Sequence, residues 1–205
     1  MTREQQAAPP PTPAGGRRGQ ILDTAERLFA RRGYRETSLG DVAEELGVKR
    51  QAVYYYFGSK QDVLYELIDR AGSALSGAAE SSLDSDAAPE EILRTVVRNH
   101  VLGLLARPDV FRIQFAELSK LDGARADELR GDIYRYVKRV ADVIRSGQDE
   151  GVFADGSPMA LALMVIGMCN FTIEWQTGDS RLSDAEVADL CVRTALTGLG
   201  RPGPS

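Results

Sequence analysis

The 205-residue sequence is poor in the groups from which enzymes and metal sites are built, with one histidine, two cysteines and one tryptophan. His100 sits among apolar neighbours in a helical pattern, where a structural role is expected of it. Cys169 and Cys191 lie inside apolar stretches at a spacing that matches no zinc or redox motif, so they read as small core hydrophobes of a reducing compartment. There is no phosphate-binding glycine loop, no metal-ligand cluster and no nucleophile motif. These absences argue against an enzyme and against any metal or cofactor. The opening stretch MTREQQAAPPPTPAGG has no apolar centre and does not read as a secretory leader. The longest apolar run, Met159 to Cys169, falls short of the roughly 20 residues that a membrane span requires. A cytoplasmic protein with no membrane partner is expected.

The charge is net negative, −5 overall, and unevenly spread. Residues 17–70 hold ten Lys/Arg against nine Asp/Glu, whereas residues 71–205 hold fourteen against twenty. Contact with a polyanion therefore belongs to the first third of the chain.

Apolar residues recur at helical spacing almost throughout, and no stretch alternates as a strand would. Ile21, Leu22, Ala25, Leu28 and Phe29 mark a first helix that should stop near Gly33. Ser38 caps a second, with Asp41 at its third position, and Gly47 ends it. Only Gly47 and Val48 separate this helix from one over Lys49–Tyr56, a spacing that predicts a helix-turn-helix. A fourth helix should start near Ser59 and fade into the small, polar stretch 72–89. Further helices are expected from Pro89 to Ala106, over 108–121, over 124–150, over 158–177 and over 183–199. The fold class is all-α, with about nine helices. A tail is expected over 1–16, a DNA-binding head over 17–64, a helical body over 65–200 and a second tail over 201–205.

The stretch GVKRQAVYYYFGSK sets three tyrosines beside basic residues. In a helix-turn-helix the N-terminal residues of the second helix reach base edges in the major groove. Lys49, Arg50 and Gln51 occupy that end; Lys and Arg suit guanine, and Gln suits adenine. Val53 and Phe57 share the core face, so at least two of Tyr54, Tyr55 and Tyr56 must face outward or sideways, where hydroxyls can donate to phosphates. Lys60, at the start of the fourth helix, offers a further phosphate site. An amphipathic rim around a small helical core remains the alternative for any one tyrosine.

ILDTAERLFARRGYRETSLGDVAEELGV, followed by YYYF-x-SK-x-x-L, resembles the N-terminal domain of the TetR family of transcriptional repressors over residues 17–64. The resemblance implies phosphate contacts at Thr37 and Ser38, groove-facing positions at Lys49, Arg50, Gln51 and Tyr55, and further DNA contacts at Tyr54 and Lys60. Three positions depart from the family pattern. Lys49 stands where Ser or Thr is common, Gln51 where Gly is common and Tyr56 where His is common, so the operator cannot be inferred from relatives.

The resemblance also implies a homodimer formed through the last two helices, double-stranded operator DNA as a partner, and a small effector held in the body. The helix 158–177 is apolar on nearly every face, and Ala160, Ala162, Gly167 and Gly198 are small enough for close helix approach. Phe111, Phe115, Tyr134, Met164, Met168, Phe171 and Trp175 are candidate linings for an effector cavity, although such residues at helical spacing are more often plain core. The stretch CNFTIEWQTGDSRLSDAEVADL resembles TetR-like regulators of fatty-acid and steroid catabolism. That resemblance implies an acyl-CoA thioester as effector, with Arg112 a candidate partner for its anionic part. A drug-like effector controlling an efflux or detoxification gene is the alternative. In either case the expected switch is a shift in head spacing on ligand binding, with the fourth helix as lever.

Overall fold

The computed structural model describes residues 16–176 and 181–200. The expected tails, Gly16 apart, and the Gly178–Asp179 turn lie outside the described residues. Among the described residues the chain is all-α: α1 (Gly16–Arg32), α2 (Leu39–Glu45), α3 (Arg50–Tyr54), α4 (Lys60–Leu83), α5 (Pro89–Ala106), α6 (Pro108–Glu117), α7 (Ala124–Asp149), α8 (Pro158–Asn170), α9 (Thr172–Trp175) and α10 (Asp184–Leu199). One turn of 3₁₀ helix, Leu118–Lys120, follows α6. The chain divides into two compact units, one through Leu67 and one from Ile68, so the division falls inside α4.

In the first unit, local chemistry sets the helix ends. Ser38 has extended backbone and its hydroxyl accepts from the Asp41 amide, while the Asp41 carboxylate accepts from the Ser38 amide at 2.7 Å, which closes a capping box. Gly47 has φ of 64°, a left-handed turn that a side chain would strain, and this turns the chain from α2 into α3. Ser59 caps α4 in the same way, accepting from the Asp62 amide at 3.1 Å. Ile21, Leu22, Ala25, Leu28 and Phe29 of α1 are buried, as are Leu39, Val42 and Ala43 of α2, Val53 of α3, Phe57, and Val63, Leu64 and Leu67 of α4.

The second unit is built around α5, which packs on α7, α8 and α10, and α7 also packs on α8. Its core contains Leu93, Val96, Val97 and Val101 of α5, Val140, Ala141 and Ile144 of α7, Ala162, Val165, Ile166 and Cys169 of α8, and Val187, Ala188, Cys191 and Val192 of α10. Both cysteines are free thiols, buried as expected. Ser183 and Glu186 form a second capping box at the start of α10.

The structure departs from the sequence expectations in five places, the first being the helix expected over 108–121, which ends at Glu117. α3 is shorter than Lys49–Tyr56, because Lys49 is the extended N-cap residue and makes no side-chain cap. α4 does not fade at Gly72 but continues to Leu83, where its small residues border a cavity and Ala79 joins the core. The helix expected over 158–177 is interrupted at Phe171. There the Thr172 hydroxyl donates to the Cys169 carbonyl at 2.7 Å, diverting an acceptor from the helix ladder. Finally, Pro158–Trp175 is long and apolar enough by composition to cross a membrane, with mean hydropathy 1.4 over 18 residues, which the shorter run Met159–Cys169 did not suggest. One side of it is nonetheless core, shared with α5, α7 and α10.

The end of α7 shows how tightly this body is closed. Phe153 is buried, and a Cβ on Gly147 would stand 2.2 Å from its ring. The Phe153 amide donates to the Gly147 carbonyl at 3.0 Å, and the Ala154 amide donates to the Leu199 carbonyl at 2.7 Å, tying the loop to the end of α10. Gly147→Ala should therefore force the ring out of its seat and destabilise the protein by roughly 1–3 kcal/mol. Urea unfolding at equilibrium measures this as a lower midpoint at unchanged slope, and an unchanged midpoint would contradict the packing.

Candidate nucleic-acid interface and effector cavity

The outer surface of the first unit carries most of the side chains expected to meet DNA. Ser38, Lys49, Arg50 and Gln51 are exposed, Tyr54 is 52% exposed and Tyr55 84%. Tyr56 is half-buried and meets the Tyr55 ring edge-on at 5.1 Å. The Arg50 guanidinium lies across α2, and a Cβ on Gly40 would approach its Nε to 2.9 Å. Two of the expected contacts make hydrogen bonds within the unit. Thr37 is 2% exposed, and its hydroxyl donates to the Gly33 carbonyl at 2.9 Å, which removes it from the surface and fixes the α1–α2 turn. Lys60 donates to the carbonyls of Tyr34 at 2.6 Å and Arg35 at 3.0 Å, and its ammonium lies over the Tyr34 ring.

Sequence reasoning missed Arg18. Its guanidinium donates to the Glu66 carboxylate, with Nε at 2.8 Å, and to the Tyr56 carbonyl at 3.0 Å, and it lies 4.4 Å from the centre of the Phe57 ring. One side chain thereby holds the end of the tyrosine helix against α1 and α4. The sequence shows an arginine in a basic run; only the fold reveals its partners 38 and 48 residues away.

The second unit contains a cavity of about 630 Å³ between α4, α5, α6, α7 and α8. Phe111 and Phe115 line it as expected. Six other candidates, Arg112, Tyr134, Met164, Met168, Phe171 and Trp175, do not. Arg112 donates to the Asp109 carboxylate at 3.1 Å and to the Ile173 carbonyl, while Tyr134 points to solvent from the outer face of α7. Met168 packs on the core. Met164 at 70% exposure, Phe171 at 64%, Leu163 and Trp175 instead form a continuous apolar strip along the outside of α8 and α9, flanked by exposed Ala160 and Gly167. Ala162, expected at a helix approach, is fully buried in the core.

The cavity's polar wall comes from residues that sequence reasoning did not select. His100 on α5 is buried; its Nδ1 meets the Tyr136 hydroxyl at 3.0 Å and its Nε2 meets Asn170 Oδ1 at 2.9 Å. The two rings stack with centroids 5.6 Å apart. Gln114 of α6 and the guanidinium-bearing Arg135 and Arg139 of α7 also border the space.

Comparison with known proteins accounts for both units. The family model for bacterial regulatory proteins of the tetR family matches residues 21–67, and that for the tetracyclin repressor-like C-terminal domain matches residues 86–199. The chain belongs to the TetR family of transcriptional regulators. It is a ligand-responsive DNA-binding regulator and not an enzyme, and regulators of this family bind operator DNA and small effectors. It is 21% identical to the fatty acid metabolism regulator protein of Bacillus subtilis over 88% of this chain and 94% of that one. The ketosteroid transcriptional regulator KstR2 of Mycobacterium tuberculosis has the same fold, with a TM-score of 0.85 and 23% identity over 92% of this chain and 97% of that one. AibR, solved in complex with isovaleryl coenzyme A and operator DNA, superimposes with a TM-score of 0.78 and 24% identity over 86% of this chain and 96% of that one.

In this TetR-family body the buried imidazole has a consequence for stability. Burial lowers the His100 pKa from 6.5 to about 4, only partly opposed by the Asn170 hydrogen bond, so the ring is neutral in the folded state. Burial likewise keeps the Tyr136 hydroxyl protonated. As pH falls, the unfolded chain takes up the His100 proton first. The native state's advantage from this group is complete above about pH 6.5 and is lost as pH falls toward about 4. His100→Gln should flatten that part of the stability curve by about 3 kcal/mol relative to the parent. Urea unfolding of both proteins at several pH values checks this, and parallel curves would show that the ring is not buried neutral.

Proposed function

We propose that the protein is a cytoplasmic homodimeric repressor of a palindromic operator, released when a small apolar effector enters the cavity of its body, and that the effector is an acyl-CoA thioester. The observation that carries this reading is the cavity itself. Its volume suits one small molecule, and its apolar wall is interrupted by a few convergent polar groups. AibR's complex with isovaleryl coenzyme A and the fatty-acid role of the Bacillus relative favour a thioester. Arg135 and Arg139 on the cavity border replace Arg112 as partners for its anionic part. The drug-like alternative draws support from the same two arginines, because each already has a carboxylate partner, Asp132 and Asp84 respectively. Titrating operator-bound protein with an acyl-CoA series and with hydrophobic drugs separates the two readings.

On the DNA side, Lys49, Arg50 and Gln51 are taken as base-reading residues, with Ser38, Tyr54, Tyr55 and Tyr56 as phosphate or rim contacts. Thr37 and Lys60 act by holding the α1–α2 turn, so that any phosphate contact of theirs goes through the backbone they position. Arg50→Ala should weaken binding to the specific operator by roughly 1–3 kcal/mol and leave non-specific DNA nearly unaffected. Gel shifts at a fixed salt concentration measure both, since phosphate contacts make affinity salt-dependent. An equal loss on every sequence would reassign Arg50 to phosphate.

A single recognition helix reads too few bases for one genomic site, and two heads roughly 34–36 Å apart remedy this. The apolar strip of Leu163, Met164, Phe171 and Trp175 supports α8–α9 as the two-fold contact, because a patch of that kind marks an interaction surface. Met164→Glu should convert the dimer to monomers and abolish operator binding while the fold is retained. Sedimentation velocity reads the mass, and a variant that stays dimeric would move the interface elsewhere.

A further inference from the structure

The cavity contains a hydrogen-bond pattern that specifies one chemical feature of its ligand. Gln114 is 7% exposed and borders the cavity, and its Oε1 is buried with no hydrogen-bond partner. A buried acceptor left unmatched is costly, by roughly 1–3 kcal/mol, unless something arrives to fill it. The neighbouring chain fixes a second acceptor. Asn170 Oδ1 can only accept, so the proton of His100 is on Nε2, and Nδ1 of the neutral ring must then accept. Tyr136 therefore donates its single hydroxyl proton to Nδ1 at 3.0 Å, which leaves the phenolic oxygen as an acceptor only.

We infer that Gln114 Oε1 forms a subsite for a hydroxyl group on an otherwise apolar effector, with the Tyr136 oxygen, oriented by His100 and Asn170, as a second acceptor bordering the same cavity. A hydroxyl supplies one proton that either oxygen can accept. A ketone or ether of the same skeleton brings no proton to either oxygen, and a plain hydrocarbon likewise leaves Gln114 Oε1 unmatched. If the effector is an acyl thioester, the subsite selects chains hydroxylated within the cavity over saturated or keto chains. This inference rests on the reading of the cavity as the effector site.

Decan-2-ol and decan-2-one share a skeleton and differ in the feature in question. Their binding to the full-length, DNA-free protein can be compared by isothermal titration. Cavity occupancy is followed independently by the fluorescence of a Phe111→Trp variant. The expected result is an affinity about five- to tenfold higher for the alcohol, as one buried hydrogen bond gives. Gln114→Leu should erase that preference while ketone binding persists, and Tyr136→Phe should reduce it. Equal affinity for the two probes, or a preference for the ketone, overturns the hydroxyl subsite but leaves the effector-site reading intact, and this comparison needs only the parent protein. Failure of both probes to enter the cavity overturns the effector-site reading and the subsite with it.

Discussion

The segment α8–α9 is apolar on nearly every face, and the described residues of the second unit cover only part of it. The inner side carries Ala162, Val165 and Cys169 into the core against α5 and α10. An adjoining edge, Ile166 and Asn170, meets the cavity. The remaining side, Leu163, Met164 and Phe171, is left to solvent. Core, cavity and the proposed subunit contact are thus three faces of one segment. Apolar burial worth about 25 cal/mol per Å² favours a second copy over water on the third face.

The first unit solves a different problem. A helix of five residues, Arg50–Tyr54, has too few hydrogen bonds to persist alone. It is held by Val53 and Phe57 in the core and by Arg18, which takes the Tyr56 carbonyl just beyond the helix end. Lys60 does the same for the preceding turn through the Tyr34 and Arg35 carbonyls. Lys60, a DNA contact by the family pattern, and Arg18 both hold the backbone that presents the exposed residues. The exposed set of Lys49, Arg50, Gln51, Tyr54 and Tyr55 is then free to meet a partner without distorting the unit.

What was legible in the sequence was local. Ser38, Gly47, Pro89 and Ser183 act on the residues beside them, and each starts or ends a helix where the sequence placed it. What was illegible depends on rotation and distance. By sequence, the aromatic and Met residues on α8 and α9 are candidates for cavity lining or for core, because uniform apolarity does not say which face turns inward. The lone His100 is expected in a structural role and is buried, but its partners lie 36 and 70 residues away on other helices. Thr37 follows the family pattern for a phosphate contact, yet its hydroxyl is taken by a carbonyl four residues earlier.

The polar wall of the cavity also bears on how a ligand could act at all. A ligand shifts an equilibrium only by its differential affinity for the two states. His100, Tyr136 and Asn170 bond one another across α5, α7 and α8 and so brace those helices. Gln114 is on α6, whose backbone approaches chiefly α5 and the 3₁₀ turn that follows it. Its unmatched oxygen makes the empty cavity less favourable by a term that a donor on the ligand removes. The part of the wall whose energy a donor on the ligand changes is therefore on α6, and a conformational response to that donor starts there.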